Sequence, residues 1–266
     1  MKPGILIFLY ALLCAPVGAT MIMVPADDSG FLNAAGRGSK NDGILLGAPP
    51  ATFNYSTGSV AEVPPLSGTD VPRRNFFSFD LSGIAPGAIL SATLVLFVPI
   101  DGFSSPDPFE TYEITGIMAA SPAEQASAAA DLTLAYDISE PSELAAAIDL
   151  HDMLGEITGL GAASFSEPDE GSDVPVPLSV DGVSYLNAFA GGEVVLGGEI
   201  TTLDLTDGID EVVFGFSSPL YPGVVTPDPI IPVVTPTPFL ALEVIPEPSS
   251  GLLALAGGAL LLRRRR

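Results

Sequence analysis

The sequence contains very little cysteine, histidine or tryptophan. Cys14 is the one cysteine in 266 residues, His151 is the one histidine, and tryptophan is absent. This count excludes an intramolecular disulfide and every zinc site that needs several cysteine or histidine ligands. The lack of tryptophan also removes one of the large rings on which sugar-binding sites are usually built.

Basic residues are scarce as well. There are 9 lysines and arginines against 32 aspartates and glutamates, giving a formal net charge of −23. Such a surface repels phosphate backbones, so nucleic-acid binding is excluded. The hydrophobic fraction is 47%, and 28 glycines and 26 prolines punctuate the chain. This composition is typical of a folded chain with many turns, and the length is compatible with one all-β domain.

The amino terminus has the pattern of a secretory signal peptide. Lys2 precedes an apolar run at residues 5–13, and small residues follow up to Ala19. We therefore predict that residues 1–19 are a signal peptide, cleaved between Ala19 and Thr20. The apolar run is shorter than the about 20 residues that span a bilayer. An uncleaved anchor is the alternative.

The carboxyl terminus combines a short motif, an apolar segment and a basic tail. The motif is Pro246-Glu247-Pro248, the apolar segment covers residues 249–262, and the tail is Arg263, Arg264, Arg265 and Arg266. The positive-inside rule places the arginines in the cytoplasm and the preceding chain outside. A helix over residues 249–262 would be about 21 Å long, against about 30 Å of hydrocarbon. We expect a transmembrane helix that anchors the chain transiently, with a permanent tail anchor as the alternative.

This combination resembles the PEP-CTERM sorting signal of Gram-negative bacteria. The resemblance implies that residues 245–266 are a signal recognised by a membrane-embedded exosortase after export by the secretion machinery. It further implies cleavage near Pro246, an intermediate anchored in the inner membrane, and a final location at the cell surface or in the extracellular matrix of a biofilm.

The body, residues 20–244, carries the strand patterns of an all-β fold. Without the two end segments, which hold five cations and one acid, its net charge is −27. Alternating or β-branched runs lie between turn residues at residues 43–47, 75–81, 90–98, 110–118, 193–197, 199–205, 211–216 and 239–244. These intervals favour an antiparallel two-sheet sandwich over alternating strands and helices.

Three short helices are predicted within the body. A capping box at residues 121–124 opens a helix that continues to Ala130. Residues 141–154 form the second helix, with His151 on its apolar face. The third covers residues 181–190 and ends before two glycines.

The body also resembles an extracellular module that often accompanies this sorting signal. The matching stretches include residues 74–83, which read Arg-Asn-Phe-Phe-Ser-Phe-Asp-Leu-Ser-Gly, and residues 91–94. The resemblance implies a jelly-roll sandwich and carries no activity with it. Residues 219–238 depart from the module because they hold seven prolines. We expect a proline-rich insertion there.

Catalytic patterns are weak. His151-Asp152 is the one imidazole–carboxylate pair, and no Gly-x-Ser-x-Gly elbow accompanies it. We expect a core histidine and a non-enzymatic protein. Two alternatives stay open: a carbohydrate-binding module, using Tyr55, Tyr136, Tyr185 and Tyr221, and a glycan-active hydrolase or lyase using a pair of acids.

Calcium is the favoured ligand. The loop at residues 204–211 holds four acids around a glycine, which predicts a calcium site formed by Asp204, Asp207, Asp210 and Glu211. A second acidic loop covers residues 167–173. A solvated acidic turn is the alternative for each loop. Calcium bound to so acidic a body would also bridge it to anionic exopolysaccharide. The scarce cations Arg73 and Arg74 are expected to form a salt bridge.

Overall fold

A computed structural model describes residues 18–36, 38–40, 55–61, 70–133, 140–205, 210–214 and 237–245. Within these ranges the chain forms thirteen strands and three α-helices. The strands are β1 (Thr20–Pro25), β2 (Asp28–Asn33), β3 (Gly38–Lys40), β4 (Thr57–Ala61), β5 (Asp70–Asp80), β6 (Ile89–Val98), β7 (Phe103–Ser104), β8 (Glu110–Gly116), β9 (Ile157–Phe165), β10 (Ser172–Pro177), β11 (Glu193–Ile200), β12 (Glu211–Val213) and β13 (Phe239–Val244). The helices are α1 (Pro122–Thr133), α2 (Pro141–Met153) and α3 (Val180–Phe189).

The smaller of two antiparallel sheets has the order β1-β13-β6-β10. Apolar residues alternate along its strands, and Leu94, Leu96 and Leu240 are fully buried on its inner face. Pro175 and Pro177 lie in β10 at one edge, where a residue without an N–H group is tolerated. The two edge strands of this sheet are β1, from the beginning of the chain, and β10, from its middle.

The larger sheet divides into two branches at β5. Arg73 pairs with Gly58 of β4 and with Asn33 of β2, so these strands lie on opposite sides of β5. β11 pairs with residues 75–80 of β5, on the side opposite β2. On that side of β5, β11 therefore follows β4, which pairs with residues 70–73. One branch continues through β4, β12 and β7, and the other through β11, β8 and β9. The division curls this sheet into a half-barrel.

Aromatic side chains fill the space between the sheets and between the two branches. Phe214 follows β12, and its ring centroid lies 4.9 Å from that of Phe165 and 5.5 Å from that of Tyr112. Tyr55 is 5.3 Å from the same ring. Its hydroxyl donates to the carbonyl of Phe97 at 2.7 Å and accepts from the Phe97 N–H at 3.2 Å. β13 pairs with β6 only as far as Val95. The Tyr55 hydroxyl, rather than a residue of β13, therefore binds the backbone of Phe97.

Helices α1 and α2 cover the outer face of the larger sheet. A second apolar cluster forms there from Phe76 and Val195 of the sheet and Leu132, Leu150 and Leu154 of the helical segments. Helix α3 packs across the end of the sandwich against β6 and β9. Its Asn187 side chain binds both backbone groups of Ile89, at 3.0 and 2.9 Å.

The predictions of a mostly β fold with two antiparallel sheets and three short helices are confirmed. The strands predicted at 75–81, 90–98 and 239–244 are present. Residues 193–197 and 199–205 were expected as two strands, but they form the single strand β11, which ends at Ile200. Of the strand predicted at 211–216, residues 211–213 form β12 and residues 215–216 lie outside the described residues. The strand predicted at 43–47 also lies outside them.

The strands that were not predicted are β1, β2, β3, β4, β7, β9 and β10. β9 reads Ile-Thr-Gly-Leu-Gly-Ala-Ala-Ser-Phe and β10 contains two prolines, so neither has strong strand propensity. Among the described helices, none combines the length and hydropathy that a membrane crossing requires. The helix predicted at 249–262, residues 219–236 of the predicted insertion and most of the signal peptide lie outside the described residues.

Candidate metal centre

Three carboxylates meet where the two branches of the larger sheet face each other. One oxygen from each of Asp107, Glu110 and Glu211 lies within 4.8 Å of the other two. Glu110 is 0% exposed and Glu211 is 1% exposed, whereas Asp107 is open to solvent. We call these three residues the acidic cluster.

Glu110 is held by hydroxyl groups from both sides. It is the first residue of β8, and its two oxygens accept hydrogen bonds from the hydroxyls of Ser105 and Thr202. The Ser105 hydroxyl also accepts from the N–H of Asp107 at 3.0 Å, and the Thr202 hydroxyl accepts from the N–H of Thr111 at 3.0 Å. The loops after β7 and β11 are therefore fixed to one carboxylate.

Glu211 comes from the other branch, as the first residue of β12. Its Oε2 accepts from the Asp204 N–H at 2.8 Å, and its Oε1 is also buried. Gly58 of β4 lies against the Glu211 backbone with φ of +124°. A Cβ at Gly58 would meet the Glu211 carbonyl and lie 3.0 Å from Cα of Val212. Only glycine allows this approach of the two strands.

The cluster concentrates negative charge in a mostly buried place. Burying ionised carboxylates side by side costs several kcal/mol per ion unless a proton or a cation compensates. Carboxylate and hydroxyl oxygens are hard donors of the kind that calcium prefers. Asp107 gives the cluster a side open to solvent, through which an ion can enter. The donor set therefore fits a divalent cation such as calcium.

The cluster differs from the predicted calcium loop in two of its three members. Glu211 belongs to it as predicted, but Asp204 contributes a backbone N–H and its side chain is exposed. Asp210 is also exposed, and Asp207 lies outside the described residues. Asp107 and Glu110 were not predicted as ligands; they lie about a hundred positions upstream of the loop. The run Asp-Pro-Phe-Glu at residues 107–110 was the one signal available.

The second acidic loop uses its carboxylates as hydrogen-bond acceptors. Asp169 accepts from the N–H and the hydroxyl of Ser166, both at 2.8 Å, at the start of a 3₁₀ helix, Glu167–Asp169. Glu170 accepts from the N–H of Phe103 at 3.0 Å. These bonds fix the loop against β7, which favours a structural turn over a metal site.

His151 is a buried histidine, 4% exposed, near the end of α2. Its Nδ1 lies 3.0 Å from an Asp152 oxygen, and its Nε2 is buried without a hydrogen-bond partner in the described part of the chain. Burial lowers the pKa of the imidazole, against the hydrogen bond to Asp152, which raises it. No nucleophilic hydroxyl is hydrogen-bonded to this ring among the residues the structure describes, in accord with a core histidine.

The two adjacent arginines have different partners. Arg74 forms a half-buried ion pair with Glu199 at 2.6 Å and donates to the His151 carbonyl at 3.1 Å. This agrees with the predicted salt bridge. Arg73 lies over the Phe31 ring, 4.8 Å from its centroid, and donates to the Ser56 hydroxyl at 3.3 Å.

The residues of the two predicted processing signals are only partly described. Ala19 and Thr20 are exposed at the start of β1. Pro246, Glu247, Pro248 and the four terminal arginines lie outside the described residues.

No known protein-family model matches the chain, and no curated protein has a significantly similar sequence.

Proposed function

We propose that the protein is an exported, non-enzymatic component of a cell surface or exopolysaccharide matrix, whose sandwich binds calcium at the acidic cluster. The observation that carries the calcium proposal is the convergence of three carboxylates within 4.8 Å, two of them buried. The bound ion compensates these charges and links the two branches of the larger sheet. At the open side, at Asp107, it shares coordination with an anionic polysaccharide.

Export is supported by the agreement between the fold and the predicted processing sites. The first strand, β1, begins at Thr20, directly after the predicted signal-peptide cleavage site. The last strand, β13, ends at Val244, directly before the predicted sorting signal at 245–266. Thr20 pairs with Val244, so both ends of the sandwich leave it side by side. In this proposal an exosortase removes residues after Pro246 and releases the body from the inner membrane.

The jelly-roll relationship is part of the same proposal. The chain crosses repeatedly between the two sheets: β1 lies in the smaller sheet, β2–β5 in the larger, β6 in the smaller, β7–β9 in the larger, β10 in the smaller, β11 and β12 in the larger, and β13 in the smaller. This alternation is typical of sandwiches with jelly-roll connections. It supports a binding or structural role without specifying a ligand.

Two observations weigh against the alternatives. Glu110 and Glu211 are buried, so a glycosidic bond of a polymer cannot reach between them. Tyr55 and Tyr185, two of the tyrosines considered for sugar stacking, are buried in the core and unavailable for it.

Thermal unfolding in calcium and in chelator tests the metal site. A ligand present at about 100 times its Kd stabilises the folded state by about 2.7 kcal/mol. For a domain of this size, this corresponds to a rise in Tm of about 5–10 °C. We expect that rise in the natural chain and its loss in Glu110→Gln and Glu211→Gln. Asp173→Asn, which removes one exposed charge outside the cluster, should keep it.

An equal calcium shift in Glu110→Gln, Glu211→Gln and Asp173→Asn would reject the acidic cluster as the site. The matrix role is tested separately, by retention of the chain on isolated exopolysaccharide. We expect retention with calcium and release with chelator; identical retention in both would reject the ionic bridge. The intact mass of the exported form tests processing, since cleavage near Pro246 removes the terminal arginines.

A further inference from the structure

Exposed apolar side chains gather at one end of the smaller sheet. Met21 and Met23 of β1 are 65% and 64% exposed, Leu90 of β6 is 49% exposed, and Ile245 after β13 is 45% exposed. We call these four residues the terminal patch. Soluble surfaces rarely expose a contiguous group of large apolar side chains unless it contacts a partner or a membrane.

The strand register brings the patch together. Val244 of β13 pairs with Thr20 of β1 on one side and with Ile89 of β6 on the other. The N–H of the next residue, Ile245, donates to the carbonyl of Ala88 at 2.9 Å. Three adjacent strands end or begin at this level, so Leu90 and Ile245 lie at the same end of the sheet. Met21 and Met23 lie on the neighbouring strand, opposite Glu243 and Ala241.

The patch continues onto an apolar face that no described element covers. Helices α1 and α2 cover the larger sheet, but the outer face of the smaller sheet has no such layer within the described ranges. Its outward positions include the half-buried residues Val95, Phe97, Phe239 and Ala241. Glu243 is a carboxylate on this face near the patch, and it accepts the Ser91 hydroxyl at 3.0 Å.

The chain itself indicates what meets this patch. The described sandwich ends at Ile245, and the predicted membrane helix begins at residue 249. Four extended residues reach at most about 14 Å. The headgroup layer on each side of the hydrocarbon core is about 5–8 Å thick. While the helix is in the bilayer, the end of the sandwich that carries the patch is therefore held at the lipid surface.

We infer that the terminal patch docks on the lipid surface while the chain is anchored. This inference rests on the proposed anchoring by residues 249–262. The methionines, Leu90 and Ile245 enter the headgroup region, and Glu243 keeps the contact at that shallow level. Lipid is favoured over a second copy of the chain because two bodies with a charge of −27 repel each other. Docking orients the sandwich and holds the Pro-Glu-Pro motif at the membrane surface.

Single tryptophans test this docking cleanly because the natural chain has none. The full chain is reconstituted in vesicles of phosphatidylcholine and phosphatidylethanolamine, with and without phosphatidylcholine brominated on its acyl chains. Leu90→Trp and Ile245→Trp are the reporters. Ile100→Trp is the matched control, since Ile100 is 72% exposed just beyond the other end of β6, and that end, Val98, is about 27 Å from Leu90. Leu255→Trp reports on the predicted anchor.

We expect brominated lipid to quench Leu255→Trp strongly, to quench Leu90→Trp or Ile245→Trp by at least twofold, and to leave Ile100→Trp unchanged. Quenching at Leu255 without quenching at either patch position would overturn the docking inference and keep the anchor. No quenching at Leu255 would overturn the anchor and the docking together. A blue shift at Leu90 that grows with protein concentration, without quenching, would overturn lipid docking in favour of self-association.

Discussion

Replacing Tyr185 by phenylalanine tests the buried network that joins the helices to the larger sheet. The Tyr185 hydroxyl accepts hydrogen bonds from Gln125 Nε2 at 2.7 Å and from the Ile117 N–H at 3.1 Å. It has carbonyl acceptors in Ile117 and Val195, at 3.2 and 3.1 Å. Burial raises the pKa of Tyr185 to about 12, so the hydroxyl is protonated at neutral pH.

The expected loss in the free energy of unfolding follows from the two N–H donors that lose their acceptor. Tyr185→Phe keeps the ring and its contact with Phe189, at a centroid distance of 5.1 Å. It leaves a buried N–H on Ile117 and another on Gln125, which is 0% exposed, without the hydroxyl oxygen. Each unsatisfied buried donor costs about 1–3 kcal/mol. We expect the free energy of unfolding to fall by about 3 kcal/mol.

Urea denaturation followed by far-ultraviolet circular dichroism measures this loss. Tyr55→Phe is the matched control, because its hydroxyl also binds two backbone groups, those of Phe97. Phe97 is half-buried, unlike Gln125, and we therefore expect a smaller loss, of about 1 kcal/mol. A loss in Tyr185→Phe no larger than that in Tyr55→Phe would refute the role of the network.

Two further predictions concern the acidic cluster and the one histidine. Gly58→Ala should lower the free energy of unfolding by more than about 2 kcal/mol, because a Cβ there displaces the Glu211 backbone. The same substitution should abolish the calcium-dependent rise in Tm. Thermal unfolding with and without calcium measures both effects. His151 should titrate below its ordinary pKa of 6.5 in an NMR titration. Its folded-state pKa is lowered, so its contribution to stability is present above pH 6.5 and is lost as the pH falls through the folded-state pKa.

Each of these has a clear contrary result. Unchanged stability in Gly58→Ala would show that β4 and β12 can separate without cost. A pKa of 6.5 or above for His151 would show that the hydrogen bond to Asp152 outweighs burial. Asp152→Asn serves as the control, because removing that carboxylate should lower the histidine pKa further.

Local patterns in the sequence were sufficient for much of the secondary structure. The capping box at 121–124 predicted the start of α1, where the Glu124 N–H donates to the Ser121 hydroxyl at 3.3 Å and the Glu124 carboxylate accepts from the Ala120 N–H at 2.7 Å. The alternation Leu-Ser-Ala-Thr-Leu-Val-Leu predicted β6, since apolar residues at every second position place one face in the core. These signals are readable because their partners lie within a few residues.

The acidic cluster was not readable in this way. Glu110 and Glu211 are a hundred positions apart, and they meet because the larger sheet divides at β5 and its two branches curl toward each other. That division depends on Arg73 and its neighbours pairing with three strands, and no local pattern specifies it. The sequence-based calcium site therefore contained Glu211 but lacked its two described partners.

The sequence by itself determined the strongly acidic character of the body, the β class, the three short helices and the patterns at both ends of the chain, because these depend on composition and on neighbours along the chain. Tertiary structure alone decided which acids share a site, and that Met21, Leu90 and Ile245 come to the same end of the smaller sheet. These depend on contacts between residues far apart in sequence, whose pairing is fixed only when the two sheets fold together.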